Sequence, residues 1–262
     1  MRFGIIGLGV VGAATKAAGE HYGHECVWVH DPPKGIEAQG IDGALLAFIC
    51  VSAPTISAGR VDLTAVRAGL DFLETHGFTG IAVIRSTVPP EAYRDLRERS
   101  GLKLAANPEF LREREAERCA TEPAYLVVGA DDPFIADKLR LYYQPWMDAL
   151  QVPYFETDGA TAWFVKYATN CAIAGQIAVA NELFGMAASV GADYSRFVEV
   201  CKVDPEVLPR CVEVPGPDGK RGFGGKCLPK DLKAAVTWGG RWEATPSPLR
   251  TIYDYNREVR EA

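Results

Sequence analysis

Apolar and polar positions change period several times along this chain, and the changes mark its elements. Arg2 to Ile6 is a short apolar run, Ala13 to Gly19 follows with helical spacing, and Glu25 to Val29 reads as a second strand ending at Asp31. Further strand-like runs cover Leu45 to Ser52, Gly80 to Ile84, Leu102 to Ala105 and Tyr125 to Gly129, separated by helical stretches such as Leu63 to His76 and Pro90 to Arg99. Alternation of this kind predicts an α/β fold with a doubly wound parallel sheet. After Asp158 the pattern becomes helical. Ala160 to Val190 is proline-free and rich in Ala, Val, Ile and Phe, and Tyr194 to Cys201 continues as helix. Asp204 to Lys220 is loop-like, with Pro205, Pro209, Pro215 and Pro217, and Leu249 to Arg260 is an amphipathic helix. The expected division is a sheet domain over 1–157 and an all-helical domain over 158–262.

The first strand runs into Gly7-Leu8-Gly9-Val10-Val11-Gly12. This Gly-x-Gly-x-x-Gly spacing gives a tight turn, a close approach for a pyrophosphate at a helix N-terminus, and close helix packing. Asp31 lies 19 positions beyond Gly12, where a ribose hydroxyl needs an acceptor. The first domain is therefore expected to be a Rossmann-type dinucleotide site. Asp31 would repel a 2′-phosphate, which favours NAD over NADP, a preference that Lys34 slightly weakens. Three polar strand ends fall on one edge of the expected sheet: Ser52-Ala53-Pro54-Thr55, Ser86-Thr87-Val88-Pro89 and Asn107-Pro108-Glu109-Phe110.

Composition narrows the function classes. With 262 residues, 48% of them hydrophobic and 24% charged, the chain has room for one large or two ordinary globular domains. A formal net charge of −6 leaves no overall drive toward nucleic acid or an anionic membrane. No secretory leader and no apolar run of bilayer length is read, so a cytoplasmic location is the expectation. The cysteines, at 26, 50, 119, 171, 201, 211 and 227, are odd in number and contain no C-x-x-C pair, and the four histidines show no ligand spacing. Neither a disulfide framework nor a metal site is expected.

Cys227 differs from the other cysteines in its neighbours. In Gly222-Phe223-Gly224-Gly225-Lys226-Cys227-Leu228-Pro229-Lys230-Asp231 the glycines let backbone N–H groups approach a ligand, and Pro229 suits the first turn of a helix through Val236. Cys227 then lies beside positive helix-end charge, with Lys226 and Lys230 nearby, all favouring a nucleophilic thiolate. Lys166 and Asn170 share one helix face and together suit a developing oxyanion; a solvated lysine beside a polar helix contact has the same spacing. Asn181-Glu182 reads as a packing or capping contact. Glu109 and Glu113 form either a carboxylate pair supplying a base or a cap on a short helix. Ser86 and Thr87 either end a strand or hold a water or substrate oxygen.

Read together, Gly7-x-Gly9-x-x-Gly12, Ser86-Thr87-Val88-Pro89-Pro90, Asn107-Pro108-Glu109-Phe110-Leu111-Arg112-Glu113, Lys166-Tyr167-Ala168-x-Asn170 and Gly222-Phe223-Gly224-Gly225-x-Cys227-x-Pro229-Lys230-Asp231 resemble the UDP-glucose/GDP-mannose dehydrogenase family, in family order. The resemblance implies an NAD-dependent, four-electron oxidation of a sugar primary alcohol to a carboxylate, such as UDP-glucose to UDP-glucuronate or a related nucleotide-sugar reaction. In that chemistry Cys227 forms a thiohemiacetal and then a thioester. Lys166 and Asn170 stabilise the oxyanion, Asp231 and a water near Thr87 handle protons, and Glu113 serves as base or loop residue. The implied cofactor contacts are Gly7, Gly9, Val10, Val11, Gly12, Asp31, Lys34, Ser52, Pro54, Ser86 and Thr87. The implied substrate contacts are Glu109, Phe110, Leu111, Arg112, Lys166, Asn170, Phe223, Gly224, Gly225 and Lys230. A homodimer through the helical domain is implied as well, in line with that domain's apolar density.

Trp163, Ala53 and Glu91 depart from the family pattern, and the third, C-terminal domain of longer members has no counterpart in the sequence up to Ala262. Substrate anchoring is accordingly expected to fall on the glycine loop. Other readings are the same chemistry on a smaller phosphorylated alcohol, a two-electron β-hydroxyacid dehydrogenase that does not need Cys227, and a non-catalytic NAD-binding protein.

Overall fold

The computed structural model describes residues 1–56, 59–204, 211–239 and 247–261. In chain order its elements are β1 (Arg2–Ile6), α1 (Val10–His21), β2 (Glu25–His30), β3 (Leu46–Ile49), α2 (Thr64–Thr75), β4 (Ile81–Ile84), α3 (Pro90–Arg99), β5 (Lys103–Ala106), α4 (Ala116–Thr121), β6 (Leu126–Gly129), α5 (Pro133–Leu150), β7 (Tyr154–Thr157), α6 (Gly159–Val190), α7 (Tyr194–Cys201), α8 (Leu228–Trp238) and α9 (Pro248–Glu261). They form two compact units. The first comprises Met1–Pro54 and Val61–Lys166, the second Thr55–Arg60 and Tyr167–Ala262.

The first unit is built on a seven-stranded sheet of order β2-β1-β3-β4-β5-β6-β7. Alternate residues of each strand point to opposite faces, so Leu46 and Phe48 enter one core with α1 and α5, while Ala47 and Ile49 enter the other with α2 and α3. Fully buried strands on both faces are the mark of a sheet covered on both sides.

The expected all-parallel sheet needs one correction: β5 and β6 pair antiparallel, at Ala106 and Gly129, whereas β6 and β7 are parallel to each other. The reason lies in the connection. Between β5 and β6 the only α-helix is α4, six residues long, too short for the covering crossover that returns a chain to the start of a parallel neighbour. The 18-residue α5 makes such a crossover from β6 to β7.

The division between units falls inside α6 rather than at 157/158, because Ala162 and Trp163 in its first turns pack into the core of the first unit. Contrary to the expectation of no bilayer-length apolar run, α6 is long and apolar enough to cross a membrane by length and composition. Three of its polar residues have partners within the protein: Lys166 faces Glu109, Asn170 binds Asp231 and Asn181 binds Gly222. In the second unit α6 and α7 meet through Ala180, Cys201 and Val212, with the Tyr194 hydroxyl donating to the carbonyls of Ala180 and Val212. Of the expected loop over 204–220, residues 205–210 lie outside the described residues, and 211–227 are turns and bends.

Candidate functional site

The turn after β1 is shaped by what its glycines exclude. Gly7 has φ +85°, a left-handed conformation, and a Cβ there would lie 2.9 Å from the Cys50 carbonyl oxygen. A Cβ on Gly12 would land on the Gly7 carbonyl, so α1 can start this close to β1 only with glycine at that position. At Gly9, the N-cap of α1, nothing lies within 4 Å of the missing Cβ. The open space therefore sits at the N-terminus of a 12-residue helix, whose partial positive charge suits a diphosphate.

Asp31, at the end of β2, accepts the Leu8 N–H at 2.8 Å through one carboxylate oxygen, and Lys34 Nζ donates to the Leu8 carbonyl at 2.6 Å. Both side chains thus converge on the residue between Gly7 and Gly9. Strand order reverses between β1 and β3, the kind of place where open α/β sheets bind ligands. These residues fit a dinucleotide. Ser52 and Pro54, beyond β3, are exposed, Thr87 is half-buried, and the Ser86 hydroxyl donates to the Val51 carbonyl at 2.7 Å, closing the loops after β3 and β4.

Farther along the same edge, Glu109 and Lys166 are buried together. Glu109 Oε1 is 3.4 Å from Lys166 Nζ, Glu109 Oε2 accepts the Leu111 N–H at 2.7 Å, and the Lys166 ammonium lies over the Phe110 ring, 5.1 Å from its centre. The carboxylate and the aromatic face together hold the Lys166 side chain in place. Of the expected carboxylate pair only Glu109 is buried; Glu113 is exposed at the start of a short 3-10 turn, and Arg112 pairs with Glu115 at 2.7 Å.

Beneath them is a group that sequence reasoning missed. The Arg85 guanidinium, fully enclosed, donates to Asn107 Oδ1 and, at 3.1 Å, to the Tyr143 hydroxyl, while Asn107 Nδ2 donates to the Val127 carbonyl at 2.9 Å. An arginine directly after an apolar strand was the available signal.

In the second unit Cys227 is exposed and is the N-cap residue of α8, with its carbonyl accepting the Asp231 N–H at 2.8 Å. Asp231, one turn into α8, is 1% exposed, and both carboxylate oxygens are engaged: Asn170 Nδ2 donates to one at 2.6 Å and Lys230 Nζ to the other at 2.5 Å. Lys230 is thereby occupied with Asp231. The Thr55 hydroxyl donates to the Lys230 carbonyl at 3.2 Å. The thiol, the amide, the carboxylate and the ammonium are thus gathered at the first turn of α8.

The expected substrate residue Phe223 is 3% exposed, and both of its backbone polar groups are bound by Asn256. Neither Asn256 nor the second asparagine that holds this loop, Asn181, was singled out from sequence as a site residue. Among the described residues no group of three or more His, Cys, Asp and Glu is placed to hold a metal ion.

Comparison with known proteins gives two matches to one family. Residues 34–147 match the UDP-glucose/GDP-mannose dehydrogenase family, NAD binding domain, and residues 160–258 match the central domain of the same family. UDP-glucose 6-dehydrogenase of Rickettsia bellii (strain RML369-C) is 33% identical over 71% of this chain and 43% of its own length. GDP-mannose 6-dehydrogenase of Pseudomonas syringae pv. syringae is 28% identical over 98% of this chain and 68% of its own. The solved structure of a UDP-glucose dehydrogenase from the hyperthermophilic archaeon Pyrobaculum islandicum superposes with a TM-score of 0.81 at 26% identity, covering 99% of this chain and 68% of that one. The chain spans about half the length of the curated relatives it matches.

Proposed function

We propose that this chain, which belongs to the UDP-glucose/GDP-mannose dehydrogenase family by its NAD-binding and central domains, takes part in the NAD-dependent oxidation of a nucleotide sugar's primary alcohol to a carboxylate. UDP-glucose is the first substrate to test, since relatives across the family carry that name. The observation that carries the reading is the arrangement at the first turn of α8: an exposed Cys227 one helical turn from a buried Asp231 whose oxygens are held by Asn170 and Lys230.

NAD, which Gly7, Gly9, Gly12 and Asp31 would hold, would accept one hydride, carrying two electrons, in each of two oxidations, the first of which turns the alcohol into an aldehyde as the hydroxyl proton passes to solvent. The work of the chain's own residues is as follows. The Cys227 thiolate, favoured by the N-terminus of α8, adds through Sγ to the carbonyl carbon of the aldehyde, and the carbonyl oxygen takes the negative charge. Lys166 and Asn170 donate to that oxygen. Loss of hydride from the resulting thiohemiacetal leaves a Cys227 thioester. Water then attacks the acyl carbon, Asp231 accepting its proton directly or through a water near Thr87, and the C–S bond breaks to release the carboxylic acid and restore the thiolate.

Two NADH per acid formed is the expected stoichiometry, and Cys227→Ala is expected to abolish acid formation. One NADH per turnover, or acid formation undiminished in Cys227→Ala, overturns the reading in favour of a two-electron dehydrogenase. Turnover of a smaller phosphorylated alcohol where every nucleotide sugar fails would keep the chemistry and change the substrate.

A homodimer through α6 belongs to the same proposal. Val179, Leu183, Met186 and Val190 are all exposed and recur at three- and four-residue spacing along one face of the helix. A reducing, cytoplasmic setting, which keeps the Cys227 thiol available, goes with this reading.

A further inference from the structure

The loop that leads into Cys227 is gripped from behind by two buried carboxamides, and we propose that one of them, Asn256 on α9, is a positioning residue for the Cys227 nucleophile. This rests on the reading of Cys227 given above. Asn256 Oδ1 accepts the Phe223 N–H at 2.7 Å, and Asn256 Nδ2 donates to the Phe223 carbonyl at 3.1 Å. One side chain thus satisfies both polar groups of one peptide residue, as a neighbouring strand would. On α6, Asn181 Oδ1 accepts the Gly222 N–H at 2.8 Å, while its Nδ2 is turned back to the Ile177 carbonyl at 2.8 Å. Arg221 Nη2 donates to the Asn181 carbonyl at 2.8 Å. Three consecutive residues, 221 to 223, are therefore tied to α6 or α9.

Asn256 is the only residue of α9 that is fully buried. An apolar side chain there would gain the transfer energy of burial and leave no amide to satisfy. The carboxamide is explained by what it holds. Its grip also fixes the glycines: a Cβ on Gly222, at φ +72°, would lie 2.5 Å from Asn256 Oδ1 and 3.0 Å from Val259 Cγ2, and a Cβ on Gly224 would lie 2.5 Å from Arg260 Nη2. At Gly225, φ +78°, by contrast with Gly222 and Gly224, the space beside the backbone is open.

Between the clamped Phe223 and the start of α8 at Leu228 lie only four residues, Gly224 to Cys227. The clamp on one side and the helix on the other set where the Cys227 backbone lies. A covalent step is sensitive to such placement: a displacement of about 1 Å costs about a hundredfold in rate.

The test compares Asn256→Ala, Asn256→Asp and the exposed control Glu258→Ala in the full chain, each normalised to folded protein. Asn256→Asp keeps the acceptor for the Phe223 N–H but sets an oxygen against the Phe223 carbonyl. The rate of Cys227 alkylation by iodoacetamide is expected to change at least fivefold in both Asn256 variants. In turnover kcat is expected to fall about a hundredfold, with KM for NAD unchanged; Glu258→Ala changes neither.

A purely structural asparagine would lower the melting temperature and leave alkylation and kcat per folded molecule at wild-type values; that result overturns the proposal. Native-state amide exchange of the unmodified protein adds a measurement that needs no variant. The Gly222 and Phe223 amides are expected to exchange far more slowly than that of Gly225, and equal rates overturn the clamp. Alkylation and exchange need no substrate, so they judge the clamp even if no nucleotide sugar is oxidised, an outcome that would count against the proposed activity alone.

Discussion

Burial pushes the thiols of Cys26 and Cys50 up to about 11 and that of Cys171 up to about 12, desolvation being the largest cause in each and the Asp231 charge adding to it at Cys171. In the unfolded chain the same groups titrate near 9.0, so above that pH the unfolded state loses protons that the folded state keeps. Their contribution to stability is therefore complete below pH 9 and is lost as pH rises through 11 to 12. Denaturant titrations from pH 8 upward are expected to show this decline, with a shallower slope in Cys50→Ala; a stability flat to pH 11 would contradict it. Cys227 could be told from these thiols in the sequence by its glycine and lysine neighbours. The glycines themselves were harder to read, because the same residue type answers two needs. Gly222 and Gly224 make room for side chains of α9, and Gly225, the third glycine of that motif, borders open space. Spacing does not reveal which side of a loop is crowded. For the same reason Asn256 was illegible: its partner Phe223 lies 33 positions away, and nothing local marks a polar residue in a charged helix as buried.

Element by element, β1 to β6 and the helices with a simple apolar face were plain in the pattern, α7 to its end residues, whereas β7, with its exposed Phe155 and Glu156, was not. Two helices were missed, the six-residue α4 and the long α5. Pro145 lies well inside α5, which removes one helical hydrogen bond and normally argues for a break. Ile135, Leu139, Tyr142 and Trp146, spaced along one face and buried against the sheet, outweigh that loss. Reversal of β6 was likewise unreadable, since strand direction is set by the crossover and not by the strand's own residues. The start of α6 rests on local chemistry: the Asp158 carboxylate accepts the Thr161 N–H at 2.9 Å and the Thr161 hydroxyl, and those hydrogen bonds hold its carboxyl below the usual range. Asp158→Ala is expected to lower stability by about 1 kcal/mol, the usual value of an N-cap. Because these hydrogen bonds are stronger to the carboxylate than to the neutral acid, the difference from wild type is expected to shrink as pH falls through the depressed carboxyl range; an unchanged difference at acid pH would refute the assignment.

At the level of the whole molecule, the homodimer proposed through α6 predicts that Leu183→Glu together with Met186→Glu shifts sedimentation from dimer to monomer at micromolar concentration, whereas a wild-type chain already monomeric there defeats the idea. Fold class and cofactor could be inferred from the order of motifs, because a strand, a glycine turn and a helix are consecutive in sequence. How the chain is partitioned could not. Thr55–Arg60, which follows β3 in the sheet unit, packs with the helical unit, where Thr55 bonds Lys230 and Gly59 leaves space for Thr237. The polypeptide consequently changes unit at 54/55, at 60/61 and again within α6. No single cut separates two self-sufficient halves. Recombination that exchanged the helical unit at one cut within α6 would leave behind Thr55–Arg60, six residues that belong to the unit removed.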